Sequence, residues 1–194
     1  MSLKQLATAC TAQLHIDTPL GRVLLARTAK GLAGAWFVGQ KDYPVTLDVP
    51  ESPEDPLLRQ TATQLAEYFA GRRTRFDIAL DLHGTPFQRD VWRVLLGIDC
   101  GRTSSYGAVA RAVGRPNAVR AVGGAVGLNP VAVIVPCHRV MGSDGSLTGY
   151  AGGLPRKIAL LEIEGFAPAQ TPLAGVGATP KTLAGTRVVA AAPA

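Results

Sequence analysis

The chain has 194 residues, 47% of them hydrophobic, and its 20 Lys+Arg against 14 Asp+Glu give a formal charge of +6. A chain of this length can bury a full core, which excludes a disulfide-stapled miniprotein, a fibrous repeat and a wholly disordered chain. No run approaches the ~20 apolar residues of a membrane crossing, and the start MSLKQLATACTAQL lacks the apolar block of a secretory leader, so a cytoplasmic location with no membrane partner is expected.

Residues 1–82 read as a small sheet-plus-helix domain. Leu14 to Ile16 and Arg22 to Ala26 have strand character across the turn Thr18-Pro19-Leu20-Gly21, and Gly31 to Val38 follows as a third strand. Lys41 to Asp55, rich in proline and acidic residues, reads as an exposed connection. From Pro56 to Ala70 the period becomes helical, with Leu57, Leu58, Leu65, Tyr68 and Phe69 on one face and Gly71 as the stop. Phe76 to Leu82 alternates apolar and polar residues as a strand does.

Residues 83–165 read as a mostly helical second domain. Thr85 and Pro86 supply an N-cap and first helical position, and the helix to about Gly97 buries Phe87, Val91, Val94 and Leu95. Thr103-Ser104-Ser105 can cap a second helix through Val113. Arg115-Pro116-Asn117 turns into a third, Ala118 to Leu128, and the pair is compatible with a helix-turn-helix. VAVIVPC reads as a buried strand ending at Cys137, and Leu154 to Glu164 as a final amphipathic helix. Residues 166–194 hold no acidic residue and one aromatic, and are expected to form a disordered tail.

Three cysteines, Cys10, Cys100 and Cys137, stand far apart without a CxxC pair and are expected to be thiols in a reducing compartment. They share no ligand spacing with His15, His83 or His138, so no metal and no cofactor are expected. Positive charge gathers between Thr85 and Arg139, where Arg89, Arg93, Arg102, Arg111, Arg115, Arg120 and Arg139 face only Asp90 and Asp99, a distribution suited to a polyanion.

Within that region stands IVPCHRV. A thiol is a strong nucleophile only as thiolate, and His138 and Arg139 are the sequence neighbours that could lower the pKa of Cys137. On a regular strand Cys137 and His138 would face opposite ways, so a productive pair requires the chain to turn or a water to bridge them. The residues alone leave open a buried structural cysteine.

VPCHRV, with RAVGGAVGLNP before it and GYAGGLPRKIALLEIEG after it, closely resembles the O6-alkylguanine-DNA alkyltransferases, the methylated-DNA–protein-cysteine methyltransferases, over about Thr85 to Gly165. The resemblance implies an α+β protein: an RNase H-like N-terminal domain, then a C-terminal domain with a winged-helix-like helix-turn-helix. It implies direct, single-turnover DNA repair, in which Cys137 takes the alkyl group from O6 of guanine irreversibly. It further places a water-mediated base on His138, its orienting carboxylate on Glu164, and the donor to the leaving guanine on Tyr106. Arg120 would enter the stack vacated by a flipped nucleotide. Ala121, Gly123 and Gly124 would keep that helix thin against the minor groove, and Arg115 and Ser143 would contact DNA. Asn129 falls on the family's hinge, while Tyr106, Val140, Tyr150, Ala151 and Gly152 fall on its alkyl pocket.

The implied partner is double-stranded DNA containing O6-alkylguanine, met by a monomer, with cooperative assembly along DNA an option. Some relatives hold zinc in the N-terminal domain, and this chain does not reproduce that set; others carry tryptophan at the reactive position and only bind lesions, and this chain keeps Cys137. Two alternatives stand beside alkyl transfer: a non-catalytic lesion-binding or helix-turn-helix regulatory protein, and an unrelated thiol hydrolase using Cys137 and His138.

Overall fold

The structure, a computed structural model, describes residues 3–44 and 47–166. Nearly all of the tail expected over 166–194 lies outside the described residues.

A three-stranded antiparallel sheet in the order β1-β2-β3 occupies the N-terminal half, with β1 Ala12–Ile16, β2 Val23–Arg27 and β3 Leu32–Phe37. Its turn closes where expected: Thr18 Oγ1 donates to Gly21 O at 2.6 Å, and Gly21 takes φ 111°, a conformation that favours glycine. Side chains alternate across the strands, so each face needs a cover. Val23, Leu25, Ala35 and Phe37 meet helix α2 (Pro56–Phe69) through Leu58, Leu65 and Tyr68 in the main core. Leu24, Ala26 and Trp36 point the other way, to a smaller cluster with Leu6, Cys10 and Leu47. Leu6 comes from helix α1 (Leu3–Ala9), which the sequence reading missed; seven residues are too few to show a period.

Asp55 caps α2, accepting from the backbone N–H of Leu57 and Leu58 while paired with Arg27 at 2.9 Å. Gly71, at φ 69°, follows its end.

Phe76 to Leu82 is not a regular strand. It makes one bridge, Leu32 with Leu80. The backbone of Asp77 is instead satisfied by Gln64 of α2, whose side chain accepts from its N–H at 2.8 Å and donates to its carbonyl at 3.2 Å. Side-chain amides replace a ladder there, which alternation alone cannot reveal.

In the C-terminal half, α3 (Pro86–Leu96) starts with a full capping box between Thr85 and Gln88. Phe87 and Val94 are only partly buried, and the fully buried residue the reading omitted is Trp92, whose indole N–H donates to Ala125 O at 2.8 Å. Truncating such a residue to Ala costs roughly 3–5 kcal/mol. Ser105 caps α4 (Tyr106–Ala112), and α5 (Val119–Gly127) follows a turn. Two short strands, β4 (Ser104–Ser105) and β5 (Val140–Met141), pair in parallel beside them, and α6 (Leu154–Ile163) ends the described chain.

VAVIVPC is also not a strand. Val131 bridges to Ala35 on the edge of β3, joining the two halves, and then the chain winds: Val135 N–H returns to Val131 O at 3.0 Å, and Val133 takes φ 70°. A β-branched residue in that region stores about 1–3 kcal/mol of strain and persists only where its surroundings hold it. One continuous core runs through both halves.

Candidate active site

Cys137 opens a single 3-10 turn, Cys137–Arg139, between Pro136 and β5. This turn, not a strand, relates the neighbours of the PCHRV box, and Cys137, His138 and Arg139 are all buried. The strained loop before it is fastened by Asn129. The Asn129 amide donates to Val135 O at 2.8 Å and to Val131 O at 3.3 Å, its carbonyl oxygen accepts from Val131 N–H at 3.0 Å, and its Nδ2 lies 3.0 Å from the Cys137 sulfur. Asn129 therefore holds the loop and also offers the sulfur a donor.

Burial pushes the Cys137 thiol above its ordinary value, opposed by the Asn129 hydrogen bond, the charge of Lys157 and nearby backbone N–H groups. The resting group is a thiol that needs a base. Lys157 is fully buried, donating to Val140 O at 2.6 Å and Thr148 O at 2.9 Å, and burial pushes its pKa down to about 8.

His138 is the candidate base. Burial lowers its pKa, against the opposing pull of Glu164, so the ring is neutral at neutral pH. Its Nε2 lies 2.8 Å from Glu164 Oε1, and both side chains are 0% exposed. Burial resists ionisation of Glu164, yet hydrogen bonds from His138, Arg139 and Tyr68 carry its pKa well below the carboxylate range. A permanently ionised acceptor fixes the tautomer: Nε2 carries the proton, and Nδ1 keeps a lone pair. Nδ1 is buried and has no partner among the described residues.

Glu164 is the hub of this site. Arg139 reaches it with Nε at 2.9 Å and Nη2 at 2.8 Å, Tyr68 Oη donates to Oε1 at 2.7 Å, and Gly101 N–H donates to Oε2 at 3.2 Å. Gly101 sits at φ 73°, where an added Cβ would come 2.9 Å from Glu164 O. Arg139 thus serves the carboxylate and not the thiol.

An open pocket of about 600 Å³ lies beside α5, lined by Tyr106, Gly123, Gly124, Leu128, Tyr150 and Ala151 among others. The Tyr106 hydroxyl accepts from Thr148 Oγ1 at 3.1 Å, leaving its own proton for a ligand. Tyr150 lies near enough to Cys137 that, after burial, the thiolate charge is what raises its phenol pKa; its hydroxyl is buried without a partner among the described residues. Gly152 lets the Tyr150 ring lie close: a Cβ there would stand 2.6 Å from it. Val140 is fully buried and does not line the pocket.

Arg120, Ala121 and Gly124 form the exposed face of α5, and Arg120 makes no hydrogen bond or ion pair with a described residue. A Cβ on Gly124 or Gly127 would meet no protein atom within 4 Å. Glycine in a helix costs up to about 1 kcal/mol against alanine, and internal packing does not require it here. Arg115 lies over the Phe87 ring at 5.6 Å, and Ser143 is exposed in the turn after β5; neither touches the pocket.

Two family models match the chain: the 6-O-methylguanine DNA methyltransferase ribonuclease-like domain over residues 14–82 and its DNA-binding domain over residues 86–166. The chain belongs to the 6-O-methylguanine DNA methyltransferase family.

It is 48% identical over 149 residues to the methylated-DNA–protein-cysteine methyltransferase of Mycobacterium leprae, covering 77% of this chain and 89% of that protein. It is 45% identical over 150 residues to that of Methanosarcina barkeri, covering 77% and 94%. Among solved structures, the Mycobacterium tuberculosis OGT in complex with DNA matches with a TM-score of 0.73 and 47% identity over 79% of this chain and 92% of that one.

Three residues of this site carry no signal in the sequence. Tyr68 belongs to a helix face, Lys157 to an amphipathic helix and Thr148 to a turn, and each reaches the site by a contact made across the fold. The run Cys137-His138-Arg139 and, by resemblance, the pairing of His138 with Glu164 were legible in the sequence, but the two hydrogen bonds from Arg139 to the same carboxylate were not. Among the described residues no group of three or more His, Cys, Asp or Glu is placed to hold a metal, and no helix is long and apolar enough to cross a membrane.

Proposed function

We propose that this chain repairs DNA by moving a methyl group from O6 of guanine onto Cys137, once and irreversibly. The observation that carries the reading is the bare, buried Nδ1 of a neutral His138 whose other nitrogen is committed to an ionised Glu164, next to a thiol held by Asn129. Through a bridging water, Nδ1 takes the thiol proton. The thiolate attacks the methyl carbon, the S–C bond forms, and the C–O6 bond breaks with its electron pair remaining on guanine. Tyr106 supplies a hydrogen bond or proton to the departing base, and Lys157 stabilises the transient thiolate.

The target carbon of a stacked guanine is out of reach of a buried sulfur, so the nucleotide is turned out into the pocket between Tyr106 and Tyr150. Arg120 fills the vacancy, and the small residues Ala121, Gly123 and Gly124 admit the DNA backbone to α5 from the minor groove. Arg115 and Ser143 lie outside the pocket, where phosphate contact is the role open to them. In this division residues 83–165 bind DNA and transfer the alkyl group, and residues 1–82 support them. The acting unit is a monomer on double-stranded DNA, because one thiol consumes one lesion; side-by-side assembly along DNA would show as a binding curve steeper than a single site.

The test is intact-protein mass after incubation with a duplex bearing one O6-methylguanine. One added methyl on Cys137 and no second turnover is the expected result. Tight binding without a mass change would favour a lesion-binding protein instead, and indifference to DNA a thiol hydrolase.

A further inference from the structure

The proposed transfer site lies in the C-terminal half, yet one of the donors on its carboxylate comes from the other half. Tyr68, near the end of α2, is 1% exposed and gives its hydroxyl proton to Glu164 Oε1 at 2.7 Å. The same oxygen accepts from His138 Nε2 at 2.8 Å and Arg139 Nη2 at 2.8 Å. The Tyr68 ring is fixed independently of that bond, 5.5 Å from the Phe69 ring and 5.5 Å from that of Phe76, so the hydroxyl is held in place by packing. We propose that Tyr68 is a positioning residue of the transfer reaction, through which the ribonuclease-like half sets how strongly Glu164 acts on His138.

The physical argument is competition for one oxygen. A phenol donating to Oε1 draws off part of its negative potential, and what remains acts on the imidazole. The other charged or titratable groups around this cluster are Arg139 on the 3-10 turn, Cys100 after α3, Lys157 on α6 and Cys137 itself. Burial and the Glu164 charge raise the Tyr68 phenol far above its ordinary value, so it stays a donor throughout the working range. Removing the hydroxyl leaves Glu164 ionised, through Arg139, but exposes His138 to more of its charge. His138 then protonates at higher pH and ceases to be a base sooner on acidification.

The proposal rests on His138 acting as the base, and the experiment separates the two. Single-turnover methyl transfer from O6-methylguanine duplex is measured with saturating protein across a pH series for the unaltered protein, Tyr68→Phe and His138→Ala. In Tyr68→Phe the acid limb is expected to move up by about half a pH unit, with a rate on the acid side of that limb roughly threefold lower and a nearly unchanged alkaline plateau. A merely structural tyrosine would lower the melting temperature and leave the limb where it was. Should Tyr68→Phe fold poorly, 3,5-difluorotyrosine at position 68, a stronger donor, is expected to move the limb to lower pH. If His138→Ala abolishes the limb while both changes at position 68 leave it in place, the role of Tyr68 is overturned alone. If His138→Ala keeps the limb, the base assignment and the Tyr68 proposal fall together.

Discussion

Two regions of the C-terminal half follow opposite rules. Around Glu164 every polar atom but one is satisfied, side chains are buried, and a carboxylate holds five hydrogen-bond donors from four residues drawn from both halves of the molecule. On the outer face of α5, glycines border open space and Arg120 has no partner among the described residues. The first region is complete within the protein except at His138 Nδ1; the second is incomplete until something lies against it. The proposed relay must hold its geometry before the substrate arrives, whereas a helix proposed to face DNA must leave room.

That contrast predicts that changes around Glu164 alter chemistry and stability together, while changes on α5 alter use of DNA with the fold intact. The largest effect belongs to Cys137→Ala, which should lose transfer completely, by intact mass, and still bind duplex DNA in a mobility-shift titration. Glu164→Gln comes next. It leaves the buried Arg139 guanidinium without its charge partner, an imbalance worth about 3–5 kcal/mol, to be read as a lowered denaturant midpoint along with slowed transfer.

Arg120→Ala should slow transfer from duplex DNA by roughly tenfold, about 1.4 kcal/mol of lost transition-state stabilisation, while the denaturant midpoint stays put. A full transfer rate from duplex in this variant would remove Arg120 from the flipping role.

Acidification should act on the relay in two stages. The folded pKa of His138 is depressed, so the unfolded chain takes up its proton first, and stability falls as pH drops below the ordinary value of 6.5. The folded pKa of Glu164 is also depressed, so its contribution is present above the unfolded value of 4.5 and is lost below it. Melting temperature measured from pH 8 to pH 4 should therefore decline steadily, and His138→Ala should flatten the upper part of the decline. The smallest effect should come from Gly124→Ala: a gain in stability of up to about 1 kcal/mol, with weaker binding to duplex DNA. Loss of stability there would mean that the glycine serves internal packing after all.

Much of the scaffold was readable in advance because its signals are local. Thr85 and Ser105 occur where helices begin, and Gly71 and Gly114 where they end, so every helix but α1 fell within a residue or two of expectation. Two expected strands, Phe76 to Leu82 read from alternation and VAVIVPC read as a buried apolar run, failed for a shared reason. Both patterns report which side chains are buried and say nothing of what satisfies the backbone; Gln64 does so at Asp77, and Asn129 at Val131 and Val135.

The sequence by itself determined the helix ends, the sheet, the basic stretch and the family motif around Cys137, because each is written in neighbouring residues or short periods. Only the tertiary structure decided that Arg139 bonds Glu164, that the buried Lys157 charge acts on the thiol and that Tyr68 reaches the carboxylate from 96 positions away in the chain. Hydrogen bonding and charge act through a few ångströms of space, and the sequence gives no measure of which distant residues the fold will bring that close.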